Sequence, residues 1–196
     1  MVPVPGGGLD CVVFDFATGE LVPDRAYFGY VMPGSGKDVE VLSEAEFGAR
    51  LAAYRAQAGA EAAARVRQWA EQVCATAGTA VQVAAALGFH GSLADGDITV
   101  VHPPAGYSAV RVETVVRTGV AVELRPAGRL LTRAVLDAEF GEGSEMPIDP
   151  EGYLLPFAYR ADVAGAAAHC SIFAQFEHRS LTSAAVQVTL RRDTLG

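Results

Sequence analysis

The stretch Gly34-Ser35-Gly36-Lys37 is the first part of the chain whose residue types could do chemistry, because a Gly-Lys pair is the core of a phosphate-binding P-loop. That motif also needs a glycine five positions before the second glycine and a Ser or Thr after the lysine. Val31 and Asp38 occupy these two positions, and a carboxylate beside the lysine would repel the phosphates. We interpret the stretch as a glycine-rich turn and predict no bound nucleotide or other cofactor.

Nucleophilic chemistry is conceivable around Cys170, which is flanked by His169 and Ser171. Neighbouring residues in a strand point to opposite faces, so His169 is badly placed to activate the Cys170 thiol. His178 shares a face with Cys170, but the two would lie about 26 Å apart in an unbroken strand. We therefore predict no catalytic residue and keep an enzyme as the alternative.

Metal ligands occur in the chain without the spacing of a known site. Its four histidines are His90, His102, His169 and His178. They form neither an HxH nor an HExxH pattern. Counted from Asp137, a calcium loop would need Gly at its sixth position and Glu at its twelfth, which are Glu142 and Ile148 here. We predict no metal site.

The cysteines Cys11, Cys74 and Cys170 lie far apart in the sequence. An odd number without CxxC spacing argues against a disulfide framework. Free cysteine behaves as a small hydrophobic residue. We expect all three to be reduced and at least partly buried, although one pair could still meet in space.

Carboxylates are concentrated between residues 134 and 159, which hold six acids and no Lys or Arg. Without basic neighbours in the sequence, these acids should create a negative field that attracts a basic partner. Met146 and Tyr153 could add apolar anchors. The predicted partner-binding residues are Asp137, Glu139, Glu142, Glu145, Met146, Asp149, Glu151 and Tyr153.

Composition bounds the class of protein. The chain has 196 residues, 51% of them hydrophobic, which suits one domain with its own core. No apolar run reaches the length of a membrane span, and the N-terminus lacks the features of a secretion signal, so we expect a cytoplasmic protein. A net charge of −8 disfavours nucleic-acid binding. One lysine against fourteen arginines, with no Asn, is typical of a bacterial GC-rich genome.

Local patterns predict the elements that position these residues. Ser43 and Glu46 have the spacing of a capping box, so a helix should begin there and bury a stripe of Phe47, Leu51 and Tyr54. Further helices are predicted at 60–77, after a break at Gly59, and at 79–88 and 129–140. The stretch 107–126 alternates like a hairpin with one dry face.

These patterns favour a single α+β domain over residues 9–193, with residues 1–8 as a flexible segment. A mainly antiparallel sheet should carry three or four helices on one face. Helix 129–140 has arginines near its start and acids near its end, which opposes the helix dipole. Such an arrangement is tolerated if the acids serve a purpose outside the helix.

The function that we expect is a non-catalytic, cytoplasmic protein-binding module. Its acidic surface would bind a basic protein such as a toxin or a secreted effector, as an immunity protein, an inhibitor or a chaperone does. A homodimer is possible. The alternative is a small-molecule-binding or enzymatic domain, with a pocket between sheet and helices. The residues predicted to line that pocket are Trp69, Tyr107, Phe157, Tyr159 and Phe173.

Overall fold

The computed structural model describes residues 2–4, 8–27, 40–115, 119–147, 154–161 and 169–193. The glycine-rich stretch at 34–37 lies outside these ranges. So do Asp149, Glu151 and Tyr153 of the predicted partner-binding set.

The described residues form three α-helices, which are α1 (Glu44–Ala75), α2 (Ala80–Ala86) and α3 (Arg133–Phe140). Two small hairpins stand at the N-terminus, formed by β1 (Val2–Val4), β2 (Gly8–Asp10), β3 (Val12–Asp15) and β4 (Glu20–Pro23). The other strands are β5 (Gly91–Ala94), β6 (Asp97–Val100), β7 (Tyr107–Val115), β8 (Gly119–Pro126), β9 (Ser144–Glu145), β10 (Leu155–Ala161), β11 (His169–Phe176) and β12 (Ala185–Asp193).

Strands β5 to β12 build one antiparallel sheet in the order β5-β6-β7-β8-β12-β11-β10-β9. Alternation along β7 sets its two faces, because Val110 and Val112 are buried whereas Arg111 is exposed. The predicted hairpin over 107–126 is thereby confirmed. So is the predicted α+β class, with a large antiparallel sheet in a single domain. The predicted flexibility of residues 1–8 stays a prediction.

The helices cover the dry face of this sheet and complete the core. Helix α1 packs on β8, β10, β11 and β12, and α2 packs on β6, β7 and β8. Val66, Trp69 and Val73 are among the α1 side chains of this core, and all three are buried as predicted. None of the helices in the described ranges is both long and apolar enough to span a lipid bilayer.

Helix α1 begins where the sequence predicts, but it has no break at Gly59. The Ser43 hydroxyl accepts a hydrogen bond from the Glu46 N–H, and the Glu46 carboxylate accepts one from the Ser43 N–H. Gly59 is buried in mid-helix, where a Cβ would come within 3.1 Å of the Leu130 carbonyl and of Val135. The glycine therefore allows close packing, which offsets its low helix propensity.

The predicted buried stripe at the start of α1 is wrong. Phe47 and Tyr54 are each 43% exposed, and the buried residues of the helix begin only at Ala58. The Tyr54 ring contacts the rings of Phe14 and Phe16, whose centroids lie 5.7 and 5.6 Å away. Helical periodicity identified a contact face correctly, but that face meets a small hairpin that covers it only in part.

Helix α3 is shorter than the predicted helix 129–140, since it begins only at Arg133. Thr132 is its N-cap, with a hydroxyl that accepts from the Val135 N–H at 3.3 Å. Residues just before the cap are held elsewhere, since the Arg129 N–H donates to the Thr18 carbonyl at 3.0 Å. Gly141 ends the helix at a φ of 86°, a positive value that glycine adopts without strain.

The expectation of three reduced cysteines is wrong. Cys74 and Cys170 form a disulfide, with Cα atoms 5.8 Å apart and a separation of 96 residues in sequence. Both are buried, and Cys11 is buried outside this bond. The pair meets because the last turn of α1 lies on the buried face of β11, a contact that sequence spacing does not reveal.

Candidate functional site

Two regions carry the chemistry of the described chain. The first, the acidic segment, is defined as residues 137–147 and contains five of the predicted partner-binding residues. The second is a cavity beside the middle of α1.

The carboxylate of Asp137, in the acidic segment, interacts with three neighbouring groups. Its carboxylate lies 3.6 Å from Arg133, accepts a hydrogen bond from the Tyr159 hydroxyl at 3.0 Å, and accepts a weaker one from the Gly143 N–H at 3.3 Å. Burial raises the pKa of Tyr159, and the charge of Asp137 raises it further. Asp137 therefore fixes α3, β10 and the start of the loop relative to one another.

Glu139 joins α3 to α1. The Arg67 guanidinium donates both to the Glu139 carboxylate and to its backbone carbonyl, and it lies 4.8 Å from the centroid of the Phe140 ring. Both side chains of the pair are about one-third exposed or less. This arrangement explains why acids are tolerated near the end of α3, since the guanidinium offsets their unfavourable interaction with the helix dipole.

Glu145, in the edge strand β9, pairs with Arg179 in the loop between β11 and β12. Arg179 Nη2 lies 2.7 Å from Oε1, and Nε lies 3.2 Å from Oε2, so the guanidinium binds both carboxylate oxygens. Hydrogen bonds from Arg179 hold the pKa of Glu145 below its ordinary value. The side chains are 39% and 66% exposed, so both remain accessible to a partner.

Glu142 and Met146 differ from the other members of the segment. Glu142 is exposed and makes no ion pair with any residue of the described ranges. The Met146 side chain is 38% exposed, while its N–H donates to the Pro156 carbonyl at 2.9 Å. The acidic segment thus presents one unpaired acid and one apolar side chain to solvent, on a backbone held by hydrogen bonds at Gly143 and Met146.

The net charge of the acidic segment is smaller than its count of acids suggests. Asp137, Glu139 and Glu145 are each compensated by an arginine, although the block itself contains none. Arg133 lies four residues before Asp137 on the same helix, so its pairing was predictable. The other two arginines come from separate elements and left no signal near the block.

The second region, the α1 cavity, has a volume of about 190 Å³. Four segments surround it, namely the turn after β3, the middle of α1, the loop before β7 and the loop after β8. Its lining residues are Phe16, Ala17, Ala58, Glu61, Ala62, Arg65, Ala105, Gly106, Tyr107, Pro126, Gly128, Leu130 and Leu131.

Two glycines hold the walls of the cavity together. A Cβ on Gly106 would come within 2.6 Å of the Ala17 carbonyl oxygen, and one on Gly128 would overlap the Thr18 carbonyl oxygen. Gly106 also has a φ of 91°, which other residues rarely adopt. The turn after β3 therefore packs directly on both loops and closes one side of the cavity.

The polar residues that line the cavity are Arg65, Glu61 and Tyr107, and the Tyr107 hydroxyl itself has almost no accessible surface. Arg65 is exposed and forms no ion pair within the part of the chain that the structure describes. Glu61 accepts a hydrogen bond from the Gln57 amide at 3.0 Å. The Tyr107 hydroxyl is buried without a hydrogen-bond partner. Burial raises the pKa of Tyr107 to about 12, against the opposing charge of Arg65.

Of the five residues predicted to line a pocket, only Tyr107 lines this cavity. Trp69 lies in the core, with its ring 5.3 Å from the Tyr107 ring and 5.4 Å from the Phe89 ring. Phe173 lies on the opposite face of the sheet from the buried Ile172. The Arg191 guanidinium lies over the Phe173 ring, 4.8 Å from its centroid. The aromatic residues of the sheet are therefore divided between the core and its outer face.

The considered nucleophile Cys170 is in the disulfide and has no thiol for catalysis. Within the described ranges, no three His, Cys, Asp or Glu side chains are grouped as metal ligands would be. Comparisons of the chain with protein-family models, with curated proteins and with solved structures gave no match. Function therefore has to be inferred from the chemistry of the two regions.

Proposed function

We propose that this protein is a non-catalytic binding module that captures a basic protein through the acidic segment. The observation that carries the proposal is the pairing of exposed side chains with a fixed backbone at Glu142 and Met146. A binding loop that is already ordered loses little conformational entropy when the partner arrives. Asp137 and Glu139 then act as supports for the loop rather than as contacts.

The chemistry of the partner follows from the exposed groups. Glu142 offers an uncompensated carboxylate, and Met146 offers a flexible apolar side chain that adapts to an irregular surface. Glu145 can exchange Arg179 for an arginine or lysine of the partner, because both members of that pair are accessible. A basic protein with an apolar contact point fits this surface, as a toxin held by an immunity protein or an effector held by a chaperone would.

The disulfide supports a different compartment from the cytoplasm that the sequence led us to expect. Buried disulfides form and persist in oxidising environments such as the cell surface or the medium, and they are rare in the cytoplasm. We therefore propose that the protein works in an oxidising compartment, where its partner is also found.

The test is capture of the partner by paired variants of the immobilised protein. Extracts and culture medium of the producing organism are passed over the wild type and over a Glu142→Lys/Met146→Asp variant, and bound proteins are identified by mass spectrometry. We expect the wild type to retain a basic protein that the variant loses at least about tenfold, since a reversed charge at a contact costs more than 1.4 kcal/mol.

A Glu71→Lys/Leu93→Asp variant provides the matched control, because it makes the same two changes at exposed positions on α1 and β5. It should capture the same protein as the wild type. Equal capture by all three proteins would show that the acidic segment is not the docking surface.

A further inference from the structure

We propose that the α1 cavity binds a small organic carboxylate with a short apolar body, held by Arg65 and Tyr107. This site is separate from the acidic segment and does not depend on the function proposed for it. The proposal rests on the size and lining of the cavity and on two of its polar residues, since Arg65 forms no ion pair and the Tyr107 hydroxyl no hydrogen bond within the described ranges.

The cavity has the size of a small metabolite. A cavity of about 150 Å³ holds one benzene molecule, so a cavity of 190 Å³ has room for a ligand of about six to eight non-hydrogen atoms. Its walls are mainly apolar, formed by Phe16, Leu130, Leu131 and the alanines of α1. Such walls suit a short hydrocarbon body and leave only a few polar groups to orient it.

Arg65 supplies the charge that selects a carboxylate. Eight arginines of the described ranges pair with an Asp or Glu, at positions 50, 55, 67, 111, 125, 129, 133 and 179. Arg65 does not, and it is the arginine that lines the cavity. A guanidinium matches a carboxylate with two parallel hydrogen bonds, so an unpaired arginine beside an apolar cavity favours a ligand of this chemistry.

Tyr107 supplies a second donor under the same cavity. The residue is only 9% exposed, and its hydroxyl makes no hydrogen bond to the protein in the described ranges. A buried hydroxyl without a partner is costly, and such groups are rare in folded proteins. The hydroxyl has almost no accessible surface, so a small shift of the Tyr107 side chain would bring it to a ligand oxygen and remove that cost. This makes the Tyr107 side chain a test of the site.

Glu61 decides between two sources of the carboxylate. It lies one helical turn before Arg65 and lines the same cavity. A simple carboxylic acid would be repelled by this charge, whereas the ammonium group of an apolar α-amino acid would be attracted by it. The carboxylate and the apolar body are common to both ligands, and a change at Glu61 separates them.

The test uses isovalerate, L-valine and the neutral isovaleramide as probes, with binding followed by titration calorimetry and ligand-detected NMR on the intact protein. We expect at least one of the two acids to bind and the amide to bind at least tenfold more weakly. Arg65→Ala should weaken binding of that acid about 10- to 100-fold, as loss of a charged hydrogen bond does. Arg50→Ala, on the same helix and paired with Glu40 away from the cavity, should leave it unchanged.

The Tyr107→Phe variant tests whether the Tyr107 hydroxyl contacts the ligand. If the hydroxyl meets the ligand, this variant weakens binding of the acid about tenfold while the free protein keeps or gains thermal stability. Glu61→Gln should tighten binding of isovalerate if a simple acid is the ligand, and should weaken binding of L-valine if an amino acid is. Equal binding of acid and amide, unchanged binding by the Arg65 and Tyr107 variants, or no binding of either acid would overturn the proposal.

Discussion

Arg65 and Arg67 lie two residues apart on α1 and meet opposite surroundings. Two residues along a helix rotate the side chain by about 200°, so the two guanidinium groups serve different regions. Arg67 is occupied by the Glu139 carboxylate and carbonyl and by the Phe140 ring, whereas Arg65 faces the α1 cavity without an ion pair in the described ranges. The acidic segment looks available for binding in the sequence, but most of its charges are paired in the structure. The cavity is not visible in the sequence, and its arginine forms no ion pair in the described ranges.

This difference shows why the charge of a segment is a poor guide to its field. The arginines that compensate Glu139 and Glu145 are 72 and 34 residues away in sequence. Folding brings them to the acids, and within residues 137–147 Glu142 is the acid left without an ion pair in the described ranges. The charged groups that remain unpaired after folding indicate where a partner or a ligand can bind. The total number of charges in a segment does not.

The largest effect on stability is expected for the disulfide, because it holds the helix that serves both regions. The Cys74–Cys170 disulfide fixes the end of α1, the helix that carries both arginines, to the sheet. Cys74→Ala/Cys170→Ala should lower the free energy of unfolding by about 2–5 kcal/mol. Urea denaturation measures this loss, and a reductant should shift the wild type in the same direction.

The matched control for the disulfide is Cys11→Ala, which removes a buried thiol outside the bond. That variant should keep its sensitivity to reductant. A double variant as stable as the wild type would mean that packing alone holds α1 in place.

The next effect concerns the cavity and appears at alkaline pH. Burial raises the pKa of Tyr107 from 10.0 to about 12, so the folded state keeps its phenol proton where the unfolded chain has lost it. Stability from this group is complete below pH 10 and is lost as the pH rises, by about 1.4 kcal/mol per pH unit up to about pH 12. Urea midpoints of the wild type should therefore fall more steeply over this range than those of Tyr107→Phe. Parallel slopes would place the Tyr107 hydroxyl in water.

The smallest effect compares the two arginines directly. Arg67→Ala removes a partly buried ion pair, a hydrogen bond to a carbonyl and a ring contact, so we expect it to lower the free energy of unfolding by about 1–2 kcal/mol. Arg65→Ala removes no ion pair of the described ranges and should change the free energy of unfolding by less than about 0.5 kcal/mol. Thermal and urea unfolding of the two variants measure the contrast, which disappears if Arg65 also supports the fold.

Much of the fold was predictable because its signals are local. The capping box at Ser43 and Glu46 uses side chains three residues apart, and the 107–126 hairpin repeats every two residues. The break expected at Gly59 was wrong because the low helix propensity of glycine competes there with close packing against Leu130. Local helix propensity predicts poorly where tertiary contacts determine the conformation of the chain.

The sites were less predictable than the fold. The α1 cavity is assembled from four separate segments, and no two of them lie close enough in sequence to form a pattern. The same holds for the disulfide, whose cysteines are 96 residues apart. Glu142 and Met146 were identified from composition alone, but their distinction from Asp137 and Glu139 depends on contacts that only the folded chain contains.

The Cys74–Cys170 bond also closes the backbone into a covalent ring that spans residues 74–170. The ring contains α2, α3 and the whole acidic segment, whereas α1 up to its last turn lies outside it. A protease that cuts the chain once inside this ring opens it without releasing a fragment, so the cut protein migrates as one species until a reductant is added. In an environment rich in proteases, the acidic segment would stay attached to the rest of the chain after such a cut.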